Sequence, residues 1–384
     1  MSASDAPDTP GPPDTPGTSG TPNAPDRTSS ASERLAVARD ALWDALRDSD
    51  ERRACRVAVA ALDDGVPVED ALLEVVAPLQ RRVGLEWAAD RITVAQEHAA
   101  TAVADQVVTA IMAHPAATDG PAAHGGERGR ITVCCVDGEW HALPARLLAE
   151  VLRLHGWRIH YLGGQLPLPN LVADVYRTDP HAVALSCSLP VRLPTAHAAI
   201  TACQATGVPV FVGGAAFGAD GRYARLLGAD AWAPDARAAA ARLAEGLPEP
   251  HGPGRPRPVD GRAAAAHHEY LDLTRDAPEL VRATHTELME QARTVEVLPE
   301  PHLPEVAADI ARVVDYLAAS LYCDDADLFT DFIRWAAAVQ ATRGIPADYL
   351  VALLDTLATR LHDFPETMRL IGAAHALPDL TTDV

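Results

Sequence analysis

A carboxylate and a histidine stand two residues apart, as Glu139 and His141, in a loop that follows a run of apolar residues. A carboxylate that accepts a hydrogen bond from one imidazole nitrogen fixes the tautomer and makes the other nitrogen a better metal ligand. The loop lacks a glycine-rich phosphate fingerprint, which argues against an ordinary dinucleotide-binding fold. The pair is a candidate metal site, although a lone histidine after a strand is more often a solvated loop residue.

Two later apolar runs end in small residues. One ends in Ser186-Cys187-Ser188 and the next in Gly213-Gly214. In a doubly wound sheet, ligands bind beyond the carboxyl ends of the strands. Small residues there leave a slot between the sheet and its covering helices, in which a flat or elongated group fits.

A third set of residues lies upstream, on two predicted helices. Trp87 falls at the end of one helix, and Glu97 and His98 fall in the first turn of the next, whose start is marked by a capping box of Thr93 and Gln96. The chain reverses between the two helices, so all three side chains can face one ligand. Each also has a structural explanation, because a tryptophan suits a bundle core and an acidic residue suits a helix start.

The apolar spacing predicts the elements that position these residues. Residues 31–115 have helical periodicity and short connections, which predicts an antiparallel four-helix bundle. Residues 129–246 alternate apolar strand runs with helices, which predicts a doubly wound parallel sheet of five strands. Residues 262–384 are predicted to be all-helical, with separate helices at 263–275 and 278–295.

Composition sets the remaining limits. Segment 1–30 is polar and holds seven prolines, so we expect a disordered tail without a secretory signal, and 247–261 holds five prolines and is predicted to be a linker. The net charge of −21, with no lysine, disfavours direct nucleic-acid binding. No apolar run is long enough for a membrane span. The six cysteines form no CxxC pair, which favours reduced thiols in a cytoplasmic protein.

The loop motifs together resemble cobalamin-binding domains, in particular those of the CarH-type adenosylcobalamin photoreceptors. The family pattern is acid-x-His-x-x-Gly, 41 residues, Ser-x-Ser/Thr/Val, about 24 residues and Gly-Gly. Here Glu139-x-His141 is followed by position 144, then by 41 residues to Ser186-x-Ser188 and by 24 residues to Gly213-Gly214. Pro144 stands where the family usually has glycine, and proline is acceptable at a helix start.

The upstream residues carry a second match to the photoreceptors, which have tryptophan, nine residues and then Glu-His. This spacing is that of Trp87, Glu97 and His98. Many of the DNA-binding photoreceptors have a histidine directly after the tryptophan that can ligate cobalt after illumination. The residue here is Ala88, so the illuminated state must differ or use another ligand.

The resemblance implies roles for these residues. His141 would bind cobalt from below, and the nucleotide tail of the cofactor would enter the slot beside Ser186, Ser188 and Gly213-Gly214. Trp87, Glu97 and His98 would enclose the adenosyl group. Light would break the cobalt–carbon bond and change how the bundle packs.

The C-terminal helices resemble globin-like sensor domains, and their pairing with a cobalamin domain is similar to the photocobilins, in which the helical domain holds biliverdin. Arginines can pair with the two bilin propionates, and an acid or histidine can bind the ring nitrogens. The candidates are His285, Tyr322, Asp324, Arg334 and Arg343. The alternative is a docking or dimerisation domain without a cofactor.

We therefore expect a cytoplasmic light sensor that is not an enzyme. It would bind adenosylcobalamin and biliverdin and signal through homo-oligomerisation or a downstream protein partner. Two alternatives stay open. A corrinoid protein that carries methyl groups for a methyltransferase would prefer methylcobalamin and would not need the Trp–Glu–His set. A haem or redox sensor would depend on the C-terminal domain and on His285.

Overall fold

The N-terminal part of the chain is helical. The computed structural model describes residues 27–118, 128–246, 261–292, 305–378 and 380. Its first helices are α1 (Arg27–Arg47), α2 (Glu51–Asp63), α3 (Val68–Asp70), a π-helical stretch (Ala71–Val76), α4 (Ala77–Ala88), α5 (Val94–Ala113) and the short α6 (Pro115–Thr118). Because α1 begins at Arg27, the last four residues of the expected tail 1–30 are helical, and the rest of that tail lies outside the described residues.

The helices that carry the upstream motif begin and end close to where the sequence predicts. The side chain of Thr93 accepts from the backbone of Gln96 and the side chain of Gln96 accepts from the backbone of Thr93, so the predicted capping box at the start of α5 is confirmed. The chain reverses between Ala88 and Val94, which brings the last turn of α4 beside the first turn of α5.

The middle of the chain is an α/β unit with a five-stranded parallel sheet, as the sequence predicts. The strand order is β2-β1-β3-β4-β5. The strands are β1 (Arg130–Cys135), β2 (Arg158–Gly163), β3 (Ala182–Ser186), β4 (Val210–Gly213) and β5 (Ala231–Ala233), and the helices are α7 (Ala142–Leu154), α8 (Leu168–Thr178), α9 (Leu193–Gln204), α10 (Arg222–Leu226) and α11 (Ala236–Ala244). The central strands β1, β3 and β4 are almost entirely buried, because helices cover both faces.

The C-terminal part consists of helices in the residues that the structure describes. They are α12 (Gly261–Ala292), α13 (Val306–Cys323), α14 (Ala326–Thr342), α15 (Ala347–Arg360) and α16 (Pro365–His375). The prediction of separate helices at 263–275 and 278–295 is wrong, since α12 runs through Pro278. Buried Leu273 and Leu288, on either side of the proline, pack into one apolar cluster, and this packing offsets the local cost of the proline. The predicted linker 247–261 lies outside the described residues except for Gly261.

The apolar cores of these parts are joined. One cluster contains residues of the bundle together with residues of β1 and α7, such as Ile131 and Leu152. A second cluster contains the other side of the sheet together with Ala319, Cys323 and Leu328 of the C-terminal helices. The third part of the chain therefore shares a hydrophobic core with the α/β unit.

An ion network ties the start of α3 to the α/β unit. Glu69 pairs with His155 at the end of α7 (2.9 Å) and with Arg237 on α11 (2.9 Å). Arg237 also pairs with Asp70 at 2.8 Å. In the described segments, every helix is too short or too polar to cross a bilayer.

Candidate functional site

The carboxylate of Glu139 is the centre of the loop after β1. Its side chain is fully buried and accepts four hydrogen bonds. One oxygen accepts from the backbone of His141 (2.9 Å) and from its Nδ1 (2.6 Å). The other oxygen accepts from the backbone N–H groups of Ser188 (2.8 Å) and Leu189 (3.1 Å), in the loop after β3. Glu139 therefore joins the loops after two neighbouring strands.

These hydrogen bonds set the protonation of the pair. Burial raises the pKa of Glu139, but the bonds from His141 and Ser188 outweigh it and hold the pKa below its ordinary value. An ionised carboxylate only accepts, so Nδ1 of His141 is the donor in this bond, and Nε2 is the nitrogen that faces away from Glu139. Among the described residues, no hydrogen bond or ion pair engages this Nε2. The predicted contact between Glu139 and His141 is therefore present, and the role of His141 as a metal ligand stays a prediction.

An aromatic stack stands over His141. The indole of Trp140 lies 3.9 Å from the His141 ring and 5.6 Å from the His98 ring, between centroids. Trp140 keeps 47% of its surface exposed. The first turn of α5 is thus brought to the loop after β1, and an indole lies between the two imidazoles.

Glu97 and His98 are paired with each other. Oε2 of Glu97 lies 2.7 Å from Nδ1 of His98, and its Oε1 accepts from the hydroxyl of Thr101 at 3.1 Å. The side chain of His98 is 58% exposed. Two members of the upstream set, Glu97 and His98, therefore lie near the loop of His141.

Trp87 makes its aromatic contacts with the C-terminal helices. Its ring stacks on Trp335 of α14 with centroids 6.2 Å apart, and the guanidinium of Arg343 lies 5.0 Å from its centroid. The end of α14 also binds the last carbonyls of α4, because Thr342 donates to the carbonyl of Ala88 (3.1 Å) and Arg343 to that of Trp87 (3.5 Å). The end of α4 is thus held by α14.

The small residues after β3 and β4 serve the backbone. Gly214 has a φ of 103°, and a Cβ there would lie 2.2 Å from the carbonyl oxygen of Cys187. A Cβ on Gly213 would lie 3.3 Å from the carbonyl oxygen of Ala233. Ser186 is the last residue of β3, and the backbone of Ser188 is held by Glu139. Gly213 and Gly214 therefore let the backbone at Ala233 and at Cys187 approach β4 closely.

The thiols near the loop are inert. Cys135 and Cys187 are buried, and burial raises the pKa of Cys135 to about 12 and raises that of Cys187 as well. Both stay protonated at neutral pH and act as small core residues. In the parts of the chain that the structure describes, no group of three or more histidine, cysteine or acidic side chains is arranged to hold a metal ion.

The five bilin candidates have separate contacts. Tyr322 lies 2.6 Å from His197 of α9, and Asp324 lies 3.9 Å from Arg369. Arg334 pairs with Asp331, Arg343 lies on Trp87, and His285 is half-buried on α12. Tyr322 and Arg343 thus lie at contacts between the C-terminal helices and the other two parts.

Sequence reasoning missed three residues of this region. Trp140 was available as the residue between the paired carboxylate and histidine, but its stacking depends on the position of α5. Trp335 and Arg192 come from other parts of the chain, and only the tertiary fold brings them to the site. Local spacing carries no signal for such long-range contacts.

Comparison with known proteins identifies the two N-terminal parts. Residues 129–244 match a family model described as a B12 binding domain, and residues 38–112 match a second model with the same description. The fold and these matches define a cobalamin-binding protein. No curated protein matches the chain.

The solved structures to which the chain is similar include the following three. The monomethylamine corrinoid protein of Methanosarcina barkeri is 21% identical, with 54% of this chain and 97% of that chain covered and a TM-score of 0.46. The methanol:cobalamin methyltransferase complex MtaBC of the same organism is 15% identical, with 59% and 88% of the two chains covered and a TM-score of 0.29. A novel cobalamin-binding protein of Desulfitobacterium hafniense DCB-2 is 20% identical, with 55% and 97% covered and a TM-score of 0.29.

The residues of the loop fit a cobalamin. A single imidazole, oriented by a buried carboxylate, would suit a metal ion that a cofactor holds through its own ring nitrogens. The neighbouring carboxylate that holds the Nδ1 proton is the second partner that such a ligand needs.

Proposed function

We propose that this chain is a cobalamin-dependent light sensor whose C-terminal domain responds to the group on the upper side of the cobalt. The observation that carries the proposal is the contact between α14 and the end of α4. Trp335, Thr342 and Arg343 hold the turn that contains Trp87 and Ala88. A change in what Trp87 packs against would therefore act directly on the C-terminal domain.

The residues of the chain have defined tasks in this proposal. His141 would hold the cobalt through Nε2 while Glu139 keeps the proton on Nδ1. Adenosylcobalamin supplies a cobalt–carbon bond that visible light cleaves. Trp87, Glu97 and His98 would enclose the upper group. Ala88 offers no side-chain ligand, so the illuminated state would differ from that of the DNA-binding photoreceptors or use another ligand.

The output would be a change of conformation without a catalysed reaction. Only a difference in contacts between the two cofactor states can shift the equilibrium of the protein. We expect the shift to alter a homo-oligomer or the binding of a downstream protein partner. Binding of biliverdin to the C-terminal domain is a further part of the proposal. Because the five candidate residues for bilin binding lie at separate contacts, this part rests on the resemblance to photocobilins.

The test is an absorption spectrum of protein reconstituted with adenosylcobalamin, taken in the dark and after green light. We expect a light-induced spectral change, and we expect His141→Ala to alter the dark spectrum. A wild-type spectrum that light leaves unchanged would refute the photoreceptor. A second reconstitution with biliverdin tests the bilin, and the absence of a red absorption band would remove that part.

A corrinoid protein that carries methyl groups is the second candidate. Trp140 and His98 are largely exposed beside the His141 loop, which leaves this side open to a partner enzyme. Two of the similar structures are a monomethylamine corrinoid protein and a methanol:cobalamin methyltransferase complex. A tighter dark affinity for methylcobalamin than for adenosylcobalamin would favour this candidate.

A further inference from the structure

Arg192 lies beside the proposed metal site and has no bonded counter-charge. It ends the short 3-10 turn Pro190–Arg192 that follows β3. A Cβ added to Gly138 would lie 3.1 Å from Cζ of Arg192, so the guanidinium lies against the loop of Glu139 and His141. Arg192 therefore reaches the loop after β1 from the loop after β3.

The nitrogen Nε of Arg192 is buried and makes no hydrogen bond. Within the described part of the chain, no carboxylate lies within ion-pair distance of this guanidinium. Asp315 of α13 interacts with it electrostatically, but the two do not form an ion pair, and burial raises the pKa of Asp315. A partly buried guanidinium without a bonded partner is costly, particularly in a chain with 53 acidic residues.

Cobalamin carries one formally anionic group besides its metal ligands, the phosphodiester of its nucleotide tail. Guanidinium groups bind phosphate oxygens through charge-assisted hydrogen bonds. We propose that Arg192 binds this phosphodiester and so makes the site prefer complete corrinoids over those without the tail. This inference rests on cobalamin binding, and it holds for a light sensor and for a methyl carrier alike.

The test compares two probes in the dark, hydroxocobalamin and cobinamide, which lacks the phosphodiester and the base. Absorbance titrations give the Kd of each probe for the wild type and for Arg192→Gln. We expect the variant to lose about tenfold or more in affinity for hydroxocobalamin, which is the loss of one charge-assisted hydrogen bond, and less than about twofold for cobinamide. Arg192→Lys keeps the charge and should retain part of the preference.

A matched control is Arg225→Gln, which removes an exposed arginine of the same α/β unit that pairs with Asp220. It should leave both affinities unchanged. Equal losses for the two probes in Arg192→Gln would mean that the guanidinium only positions the loop, and that result overturns the proposal. Unchanged affinities would overturn it too.

Inorganic phosphate is the third probe. Tight binding of phosphate alone, lost in Arg192→Gln, would assign the residue to a free anion instead of the cofactor and overturn the proposal. Thermal unfolding of each variant separates a loss of binding from a loss of fold. All titrations are done in the dark, so their outcome is independent of whether the protein responds to light.

Discussion

Replacing Glu139 by glutamine tests whether this carboxylate orients His141 for metal binding or only stabilises the fold. The two carboxylate oxygens each accept two hydrogen bonds, from His141 on one side and from Ser188 and Leu189 on the other. Glutamine offers one oxygen and one NH2 group, so two buried N–H donors lose their acceptor whichever way the amide turns. At about 1–3 kcal/mol for each unmet donor, we expect a loss of about 2–6 kcal/mol in the free energy of unfolding.

The same substitution weakens the hold on His141. Without the carboxylate at Nδ1, tautomer and ring orientation are no longer fixed, and loss of such a partner reduces metal affinity about 10–100-fold. The assays are urea unfolding of the apo-protein and titration with hydroxocobalamin. Glu150→Gln is the control, because Glu150 is a buried carboxylate of the same α/β unit that pairs with Arg146 and Arg153. It should lower stability without a comparable loss of cobalamin affinity.

The stability difference between wild type and Glu139→Gln also depends on pH. The pKa of Glu139 is lower in the folded than in the unfolded state, so its ionised carboxylate stabilises the fold. This contribution to the free energy of unfolding is complete above the ordinary glutamate pKa of about 4.3, and it is lost as the pH falls through the lower pKa of the folded state. The gap between the two proteins should therefore narrow in acid. A variant that binds hydroxocobalamin like the wild type, or unfolds at the same urea concentration, would refute the assignment of Glu139.

Three other substitutions test the surrounding structure. Trp335→Ala removes the stack on Trp87, which contributes about 0.5–1.5 kcal/mol. Backbone amide hydrogens in the turn after α4 should therefore exchange with solvent about 2–10-fold faster. Unchanged hydrogen exchange would mean that the contact does not stabilise the turn. Gly214→Ala should lower the free energy of unfolding in urea by about 3 kcal/mol or more, because the new Cβ would collide with backbone atoms. Gly65→Ala is the control, since Gly65 also has a positive φ but faces open space, and it should lower the same free energy by about 1–2 kcal/mol. Equal losses in the two variants would contradict the collision. Glu69→Gln should lower the free energy of unfolding by less than about 1 kcal/mol, because its partners His155 and Arg237 are partly exposed. The difference from the wild type should disappear in about 1 M salt, which screens such ion pairs. A difference that persists in salt would contradict a screened ion network.

Much of the fold was predictable because its signals are local. Continuous apolar runs predict the buried parallel strands, and the Thr93–Gln96 pair predicts the start of α5. The interaction of Glu139 with His141 was also predictable, because two residues of spacing place the carboxylate within reach of the ring.

The contacts that join distant segments were not predictable. Pro278 suggests a break, but α12 continues because buried side chains on both sides of it pack into the same cluster. The contacts of Trp87 with Trp335 and Arg343, which lie about 250 residues further along the chain, have no signal in the local sequence. Such pairings depend on how the domains pack, which no local pattern encodes.

The apolar cluster that α13 and α14 share with the α/β unit limits how this protein can be divided. Ala319, Cys323 and Leu328 are buried against residues of the α/β unit. A truncation at the proline-rich segment would expose this face to water on both fragments, so each half would aggregate or need a substitute surface. The C-terminal helices are consequently not a module that can be grafted onto another protein unless the helices that flank the sheet are transferred with them.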